Sequence, residues 1–197
     1  MTAELARGVL RVPLVEDAWR LAVWTGERPL TPAGVLSAGD AAEAVRTLGL
    51  RFPADELARP RPPHVLWVVV VNTRLVRVER GVARPGPRVG ELAVGEPDKL
   101  LAFWDEVVMD VLDRADFGLT GSAEIDAGLV DLLTMLYAEG EPVPVARLGH
   151  PEAIDQALDV LAYCGLVGRA ATGVGLTPLG RTAVRAELRR AFTAPGS

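Results

Sequence analysis

The sequence predicts a mainly α-helical protein with short β-ribbons, an α+β chain built from two small domains. Apolar residues recur at helical spacing in several segments, most clearly in residues 97–114. Short alternating apolar segments flank glycine-containing turns, which is typical of hairpins. The pattern of the first half also returns in the second half after a shift of 91 residues, as the pairs given below show.

Composition limits the classes of function. The 197 residues, 49% of them hydrophobic, can form one large core or two small ones. A net charge of −5 argues mildly against a protein coated in nucleic acid, although a local basic patch can outweigh the total. The single cysteine, Cys164, excludes an internal disulfide and is typical of a reducing compartment. The longest apolar run, residues 65–71, is far shorter than the roughly 20 residues that a spanning helix needs. We therefore expect a soluble cytoplasmic protein with no membrane partner.

The N-terminal segment begins ambiguously and then becomes helical. Residues 1–13 fit a short strand or an extended arm. Helical periodicity starts near Leu14 and ends at Gly26, a typical residue after a helix C-terminus. Asp40 with Glu43 three residues later has the spacing of a capping box, which predicts a second helix from that point through residue 48.

The segment His64–Pro85 decides the fold. Taken alone, its four consecutive valines predict a buried strand followed by a hairpin. A shift of 91 residues aligns the pairs Trp67/Leu158, Val69/Val160, Val70/Leu161, Leu75/Leu166 and Val76/Val167. The second copy is plainly helical as far as Cys164, so we predict a helix to about Thr73 here, then a ribbon of residues 75–78 and 82–85.

The rest of the chain predicts a linker, a long helix and a second domain. Residues 85–97 are rich in glycine and proline, and 97–114 form a strongly amphipathic helix. Further helices are predicted over 129–139, 151–164 and 178–192, with a ribbon over 166–176. The predicted domains are 1–90 and 121–197, with 91–120 as the linker and connecting helix.

This order of helix, short strand, helix, helix and ribbon is that of a winged helix, and it occurs twice. The first half resembles uncharacterised proteins of high-GC Gram-positive bacteria that carry tandem winged helices. The residues of that resemblance are Trp24, Gly26, Pro29, Leu30, Thr31, Gly34, Leu36, Asp40 and Leu75–Val78, and Leu176–Arg181 is similar to the wing-to-helix exit of winged-helix regulators. Arg74 stands where that pattern usually has glycine. The resemblance implies two winged-helix domains joined by a long amphipathic helix, in a DNA-binding, transcription-regulator-like protein.

Two functions stay open at this point. In the first, the protein contacts double-stranded DNA mostly through the backbone, because the helices that would enter the major groove are apolar or acidic. The candidate DNA-binding residues are Arg74, Arg77, Arg80, Arg84, Arg181, Arg185 and Arg189. In the second, the winged helices have lost DNA binding and hold a protein partner or form a homodimer.

The sequence offers no catalytic or metal-binding arrangement. His64 and His150 stand apart from other ligand residues, and Cys164 fits a buried core thiol. Asp105, Asp110 and Asp113 fit the solvent side of the amphipathic helix. We therefore expect neither an enzyme nor a cofactor.

Overall fold

The computed structural model describes residues 2–50, 65–113, 119, 123–148 and 151–193. The chain divides into two compact units, Met1–Val111 and Leu112–Ser197. Both are mostly helical with one small antiparallel sheet each, which confirms the α+β class. The predicted domain limits at residues 90 and 121 stay a prediction.

The first unit contains six helices and three strands among its described residues. In chain order they are α1 (Thr2–Val9), α2 (Pro13–Thr25), β1 (Arg28–Pro29), α3 (Ala38–Leu48), α4 (Val65–Asn72), β2 (Val76–Glu79), β3 (Val82–Pro85), α5 (Arg88–Val94) and α6 (Pro97–Asp113).

The valine run is a helix, as the repeat predicts. The six residues Val65–Val70 at the start of α4 are all buried, and α4 packs against α2. Valine costs well under ~1 kcal/mol per residue in a helix. Burying one valine side chain gains about 1.5–3 kcal/mol, which outweighs that cost. A helix that is apolar all round is therefore stable here because it is buried within the unit, where it packs against α2.

Three predictions for the first unit are wrong. Residues 2–9 form α1, neither a strand nor an extended arm. Helix α3 begins earlier than predicted, because Ser37 is its N-cap and accepts a hydrogen bond from the N–H of Asp40. Asp40 thus lies inside the helix, and its carboxylate accepts a hydrogen bond from the Ser37 hydroxyl at 2.6 Å.

The third error concerns residues 85–97, for which the sequence predicts no helix, whereas the structure has α5 and a left-handed cap at Gly95. Arg88 at the start of α5 makes a bidentate ion pair with Glu106 of α6. Its Nη1 lies 2.8 Å from Oε2 and its Nη2 lies 2.6 Å from Oε1. Asn72 donates to Asp110 of α6 at 2.8 Å. These contacts and the buried Trp104 attach α6 to the first unit.

The sheet of the first unit has the order β1-β3-β2, all antiparallel. β2 and β3 form a hairpin whose two turn residues, Arg80 and Gly81, have φ values of 51° and 76°. Positive φ at both positions is typical of a type I′ turn, the usual two-residue hairpin connection. The predicted ribbon is confirmed to within one residue.

The second unit contains α7 (Ala123–Ala127), α8 (Leu129–Glu139), a 3₁₀ turn at Val145–Arg147, α9 (Pro151–Tyr163), β4 (Val167–Ala170), β5 (Gly173–Leu176) and α10 (Pro178–Thr193). β4 and β5 form a hairpin, and Val143 bridges to Val174 of β5. Thr177 caps α10, since its hydroxyl accepts from the N–H of Gly180 at 2.8 Å. The helices and ribbon predicted here are confirmed, whereas α7 has no counterpart among the predictions.

The two hairpins repeat with a constant offset of 91 residues. Val76 faces Pro85 in the first, and Val167 faces Leu176 in the second. The offset also relates the residues that precede each hairpin: Arg74 has a φ of 60° and Gly165 a φ of 74°. The repeat inferred from sequence pattern is therefore present in the backbone itself.

Candidate nucleic-acid interface

The first group of candidate residues surrounds the β2–β3 hairpin. Arg74 follows α4, Arg77 lies in β2, Arg80 is in the turn and Arg84 lies in β3. Arg77 and Arg84 face each other across the ladder, so their side chains project from the same face of the sheet. We call these four residues the hairpin arginines.

Two of the hairpin arginines are paired with carboxylates. Arg77 Nε lies 3.1 Å from Glu79 Oε1, and Arg84 is hydrogen-bonded to Glu27 and lies 3.9 Å from Glu79. The hydrogen bond to Glu27 raises the pKa of the Arg84 guanidinium above its ordinary value, so this side chain stays charged. Arg77, Glu79 and Glu27 are exposed and Arg84 is half-buried, and ion pairs this accessible to solvent are weak enough for another anion to replace one partner.

The other two hairpin arginines are exposed and make no ion pair within the described part of the chain. Arg74 and Arg80 are also the non-glycine residues with positive φ there. Their guanidinium groups can therefore bind an external anion without loss of a partner among the described residues.

The second group lies along α10, where Arg181, Arg185 and Arg189 follow one another at intervals of four residues on one face. Arg181 donates to the carbonyl oxygen of Gly140 at 2.5 Å and lies 5.9 Å from the ring centroid of Tyr137. Arg185 is exposed with no ion pair to another described residue, whereas Arg189 is exposed and has contacts of its own. Arg181 thus helps to hold α10 against the end of α8.

The helices that precede the two hairpins are poorly suited to contact bases. In α4 the apolar residues are buried, and the amide of Asn72 is used on Asp110. In α9 the exposed face carries Asp155 and Asp159, which repel phosphates. His64, which precedes α4, lies outside the described residues.

Sequence reasoning missed the partners of the arginines. Arg169 of β4 contacts both Asp155 and Asp159 of α9 at 3.0 Å, and Arg84 reaches Glu27, which is 57 residues away. The spacing of four residues puts Asp155 and Asp159 on one face of α9, but their pairing with Arg169 depends on how the hairpin folds back against that helix.

Other chemistry is sparse in the described regions. Cys164 is fully buried, and burial raises the pKa of its thiol to about 12. Within the described ranges, His, Cys, Asp and Glu side chains form no group that could hold a metal ion. Among the helices described, none has both the length and the apolar character needed to cross a bilayer. His150 lies outside the described residues.

Comparison of the chain with protein-family models, with curated proteins and with solved structures finds no match. The fold and the placement of the charges are therefore the features that bear on function.

Proposed function

We propose that this chain is a winged-helix, transcription-regulator-like protein that contacts duplex DNA through its phosphates. The observation that carries the proposal is the pair Arg74 and Arg80. Both are exposed beside the first hairpin, which is the wing in this interpretation, and neither has an ion-pair partner among the described residues. A wing beside the DNA backbone needs such free cations, because phosphate contacts account for most of sequence-independent affinity.

The uneven distribution of charge supports this interpretation. The whole chain has a net charge of −5, yet α10 holds four arginines against one glutamate. An acidic protein with concentrated basic elements can bind a polyanion locally while staying soluble. Arg77, Arg84, Arg181, Arg185 and Arg189 would add further phosphate contacts, some by exchange of their present partners.

The same geometry argues against base readout by the helices before the wings. A helix in the major groove needs polar or basic side chains on its outer face. α4 has buried valines, and α9 presents two aspartates that Arg169 already binds. We therefore expect DNA binding with little dependence on sequence.

Fluorescence anisotropy with a generic duplex, measured over a range of salt concentrations, tests the proposal. We expect the logarithm of the affinity to fall linearly with the logarithm of the salt concentration. The double variant Arg74→Ala/Arg80→Ala should reduce that slope by about 2, since each lost phosphate contact removes about one unit. Arg46→Ala, an exposed arginine of α3, is the matched control and should leave the slope unchanged. The absence of binding at low salt, or binding without a salt slope, would refute the proposal.

The second candidate is a protein-interaction or dimerisation module with the same fold and no DNA binding. The pairing of Arg169 with the two aspartates of α9 favours it, because these contacts use the wing arginine of the second unit internally. A duplex titration that shows no binding would favour this candidate. A cytoplasmic location is part of both proposals and fits the free thiol of Cys164.

A further inference from the structure

The outer edge of the first hairpin carries a charge pattern that is complementary to itself. β2 is an edge strand, since the described sheet has the order β1-β3-β2. Its sequence is Val76-Arg77-Val78-Glu79, with a cation and an anion on either side of Val78. The side chains of Arg77 and Glu79 are 52% and 48% exposed, and Val78 is 40% exposed. An exposed valine on a strand edge is available for contact with another chain.

The turn fixes which backbone groups of β2 face outward. Residues Arg80 and Gly81 form a two-residue type I′ turn, in which the flanking residues are bonded to each other. Glu79 and Val82 are therefore a hydrogen-bonded pair, and the bonded pairs alternate along the hairpin from there.

Two further observations agree with that alternation. The N–H of Gly86 donates to the carbonyl oxygen of Leu75 at 2.7 Å, two pairs beyond the bonded pair of residues 77 and 84. Pro85, which has no N–H, faces Val76 at a position where β3 needs no donor toward β2. The N–H and C=O groups of Val76 and Val78 hence point away from β3. Val76 is buried and Val78 is 40% exposed, so Val78 is the position where another chain can reach the outer edge of β2.

We propose that a second copy of this chain pairs with β2 along this edge, antiparallel, about a two-fold axis at Val78. The outward N–H of each Val78 would then donate a hydrogen bond to the carbonyl oxygen of the other Val78. Arg77 of each copy would lie opposite Glu79 of the other, so each dimer gains two cross-strand pairs of opposite charge. Two sheets of three strands would become one of six.

The alternative registers are less favourable. Moving the two-fold axis by one residue, to Arg77, places the two Arg77 side chains opposite each other, and like charges directly opposite are destabilising. A two-fold axis at Val76 places Arg77 against Leu75, and Leu75 and Val76 are buried within their own unit. The register centred on Val78 thus places each charge opposite one of the other sign, beside the exposed contact that Arg77 and Glu79 already make within the strand.

The second hairpin lacks this property, although its strands pair in the same register as those of the first. The sequence of β4 is Val167-Gly168-Arg169-Ala170. It contains no acidic residue that could pair with Arg169 of a second copy. Arg169 is already bound to Asp155 and Asp159. The proposed contact is therefore a property of the β2 edge.

The test measures self-association of the full chain without nucleic acid, so its result is independent of the proposed DNA binding. A contact along one short strand is small, so we expect a dissociation constant on the order of 100 µM. Sedimentation velocity over a range of about 10 µM to 1 mM, which brackets that value, should show a concentration-dependent dimer.

Charge reversal tests the register. Arg77→Glu alone, or Glu79→Arg alone, should weaken the dimer by roughly tenfold or more, because each change creates two repulsive contacts across the axis. An equimolar mixture of these two variants should associate again, since one copy then supplies both anions and the other both cations. The double variant Arg77→Glu/Glu79→Arg should associate like the parent chain. Arg46→Glu, on the exposed face of α3, is the matched control and should change nothing.

Restored association in the mixture cannot come from effects within one chain, so it separates pairing from altered folding. Circular dichroism would verify that each variant is folded. As a second measurement, Val78→Cys chains should form a disulfide-linked dimer with oxidised glutathione, because bonded antiparallel pairs have Cα atoms about 5.5 Å apart. Val94→Cys, which is more exposed but lies in α5, should not. A parent chain that stays monomeric to 1 mM, or a mixture that does not associate, would overturn the proposal.

Discussion

The N–H of Gly86 donates a hydrogen bond to the carbonyl oxygen of Leu75, at an N···O distance of 2.7 Å. The same bond occurs 91 residues later, where the N–H of Thr177 donates to the carbonyl oxygen of Leu166 at 3.1 Å. Each bond closes the base of a hairpin against the end of the preceding helix. In the first hairpin, the backbone at Gly86 therefore lies close to that of Arg74 and Leu75, which leaves no room for a side chain at residue 86.

Gly86→Ala should destabilise the first unit. A Cβ at Gly86 would lie 2.0 Å from the carbonyl oxygen of Arg74, which is far inside van der Waals contact with backbone that cannot easily move. We expect a loss of about 1–3 kcal/mol in the free energy of unfolding, the usual cost of overpacking. Gly90→Ala in α5 is the control: nothing lies within 4 Å of its Cβ, so it should be neutral or slightly stabilising. Urea unfolding followed by circular dichroism measures both, and equal effects would contradict the steric explanation.

Arg74→Gly should have the opposite effect on stability. Arg74 has a φ of 60°, and Gly165, at the equivalent position of the second unit, has a φ of 74°. A non-glycine residue in this left-handed conformation costs about 1–2 kcal/mol, and glycine adopts it without strain. We expect an increase of up to about 1 kcal/mol in the free energy of unfolding, since greater freedom of the unfolded chain offsets part of the gain.

Arg77→Gly removes the same charge from a β2 position with ordinary strand geometry and serves as the control. It should lower stability, because glycine in a strand loses backbone entropy and packing. A stabilising Arg74→Gly that also weakens duplex binding would show that the strained residue is kept for its charge. If both glycine variants were equally destabilising, the positive φ at Arg74 would not affect the free energy of unfolding.

Much of the fold could be predicted because it depends on local patterns and on one repeat. The α4 helix could not be predicted from its own valines, whose intrinsic preference is for strands, but only from the second copy. The α1 and α5 helices were missed because they are short, with 8 and 7 residues, and such segments give little periodic signal. Ser37 was missed as a cap because Asp40 and Glu43 offered the same spacing three residues later.

The candidate site was less predictable than the fold. The seven arginines could be selected from sequence as a basic group, but their availability depends on partners that the fold supplies. Glu27 meets Arg84 only because β1 pairs with β3, with Arg28 facing Ala83. Asp40 and Glu43, interpreted as caps, instead hold Arg28 at 2.9 and 3.1 Å. Ion pairs between segments that are distant in the chain cannot be predicted from the spacing of residues in the sequence.

Trp67→Phe should loosen the segment between β1 and α3. The indole Nε1 of Trp67 donates to the carbonyl oxygen of Gly34 at 3.1 Å, and the side chain is buried. Its loss removes the hydrogen bond and leaves the Gly34 carbonyl without that donor, which should cost about 1–3 kcal/mol. Trp19→Phe, at a tryptophan that is 38% exposed, is the control and should cost much less. Faster amide hydrogen exchange over residues 31–36 in Trp67→Phe, but not in Trp19→Phe, would show that the bond from Trp67 to Gly34 holds this segment in place. Unchanged exchange in Trp67→Phe would contradict that role.

Cys164 should make the second unit less stable at high pH. Burial raises the pKa of its thiol from 9.0 to about 12, so the folded state keeps the proton at pH values where the unfolded state loses it. The stabilisation is complete below about pH 9 and is lost as pH rises toward 12, with a slope of at most about 1.4 kcal/mol per pH unit. Cys164→Ala removes this dependence, although it also creates a small cavity that lowers stability equally at each pH.

The measurement is the difference in the free energy of unfolding between the parent chain and Cys164→Ala at pH 8, 10 and 11. This difference cancels the titration of tyrosine and lysine residues that both chains share, and it should shrink as pH rises. A second measurement uses a thiol reagent at pH 8, which should label Cys164 only as fast as the second unit unfolds. A pH-independent difference, or rapid labelling of the folded chain, would show that the thiol is not held in the apolar surroundings of the second unit.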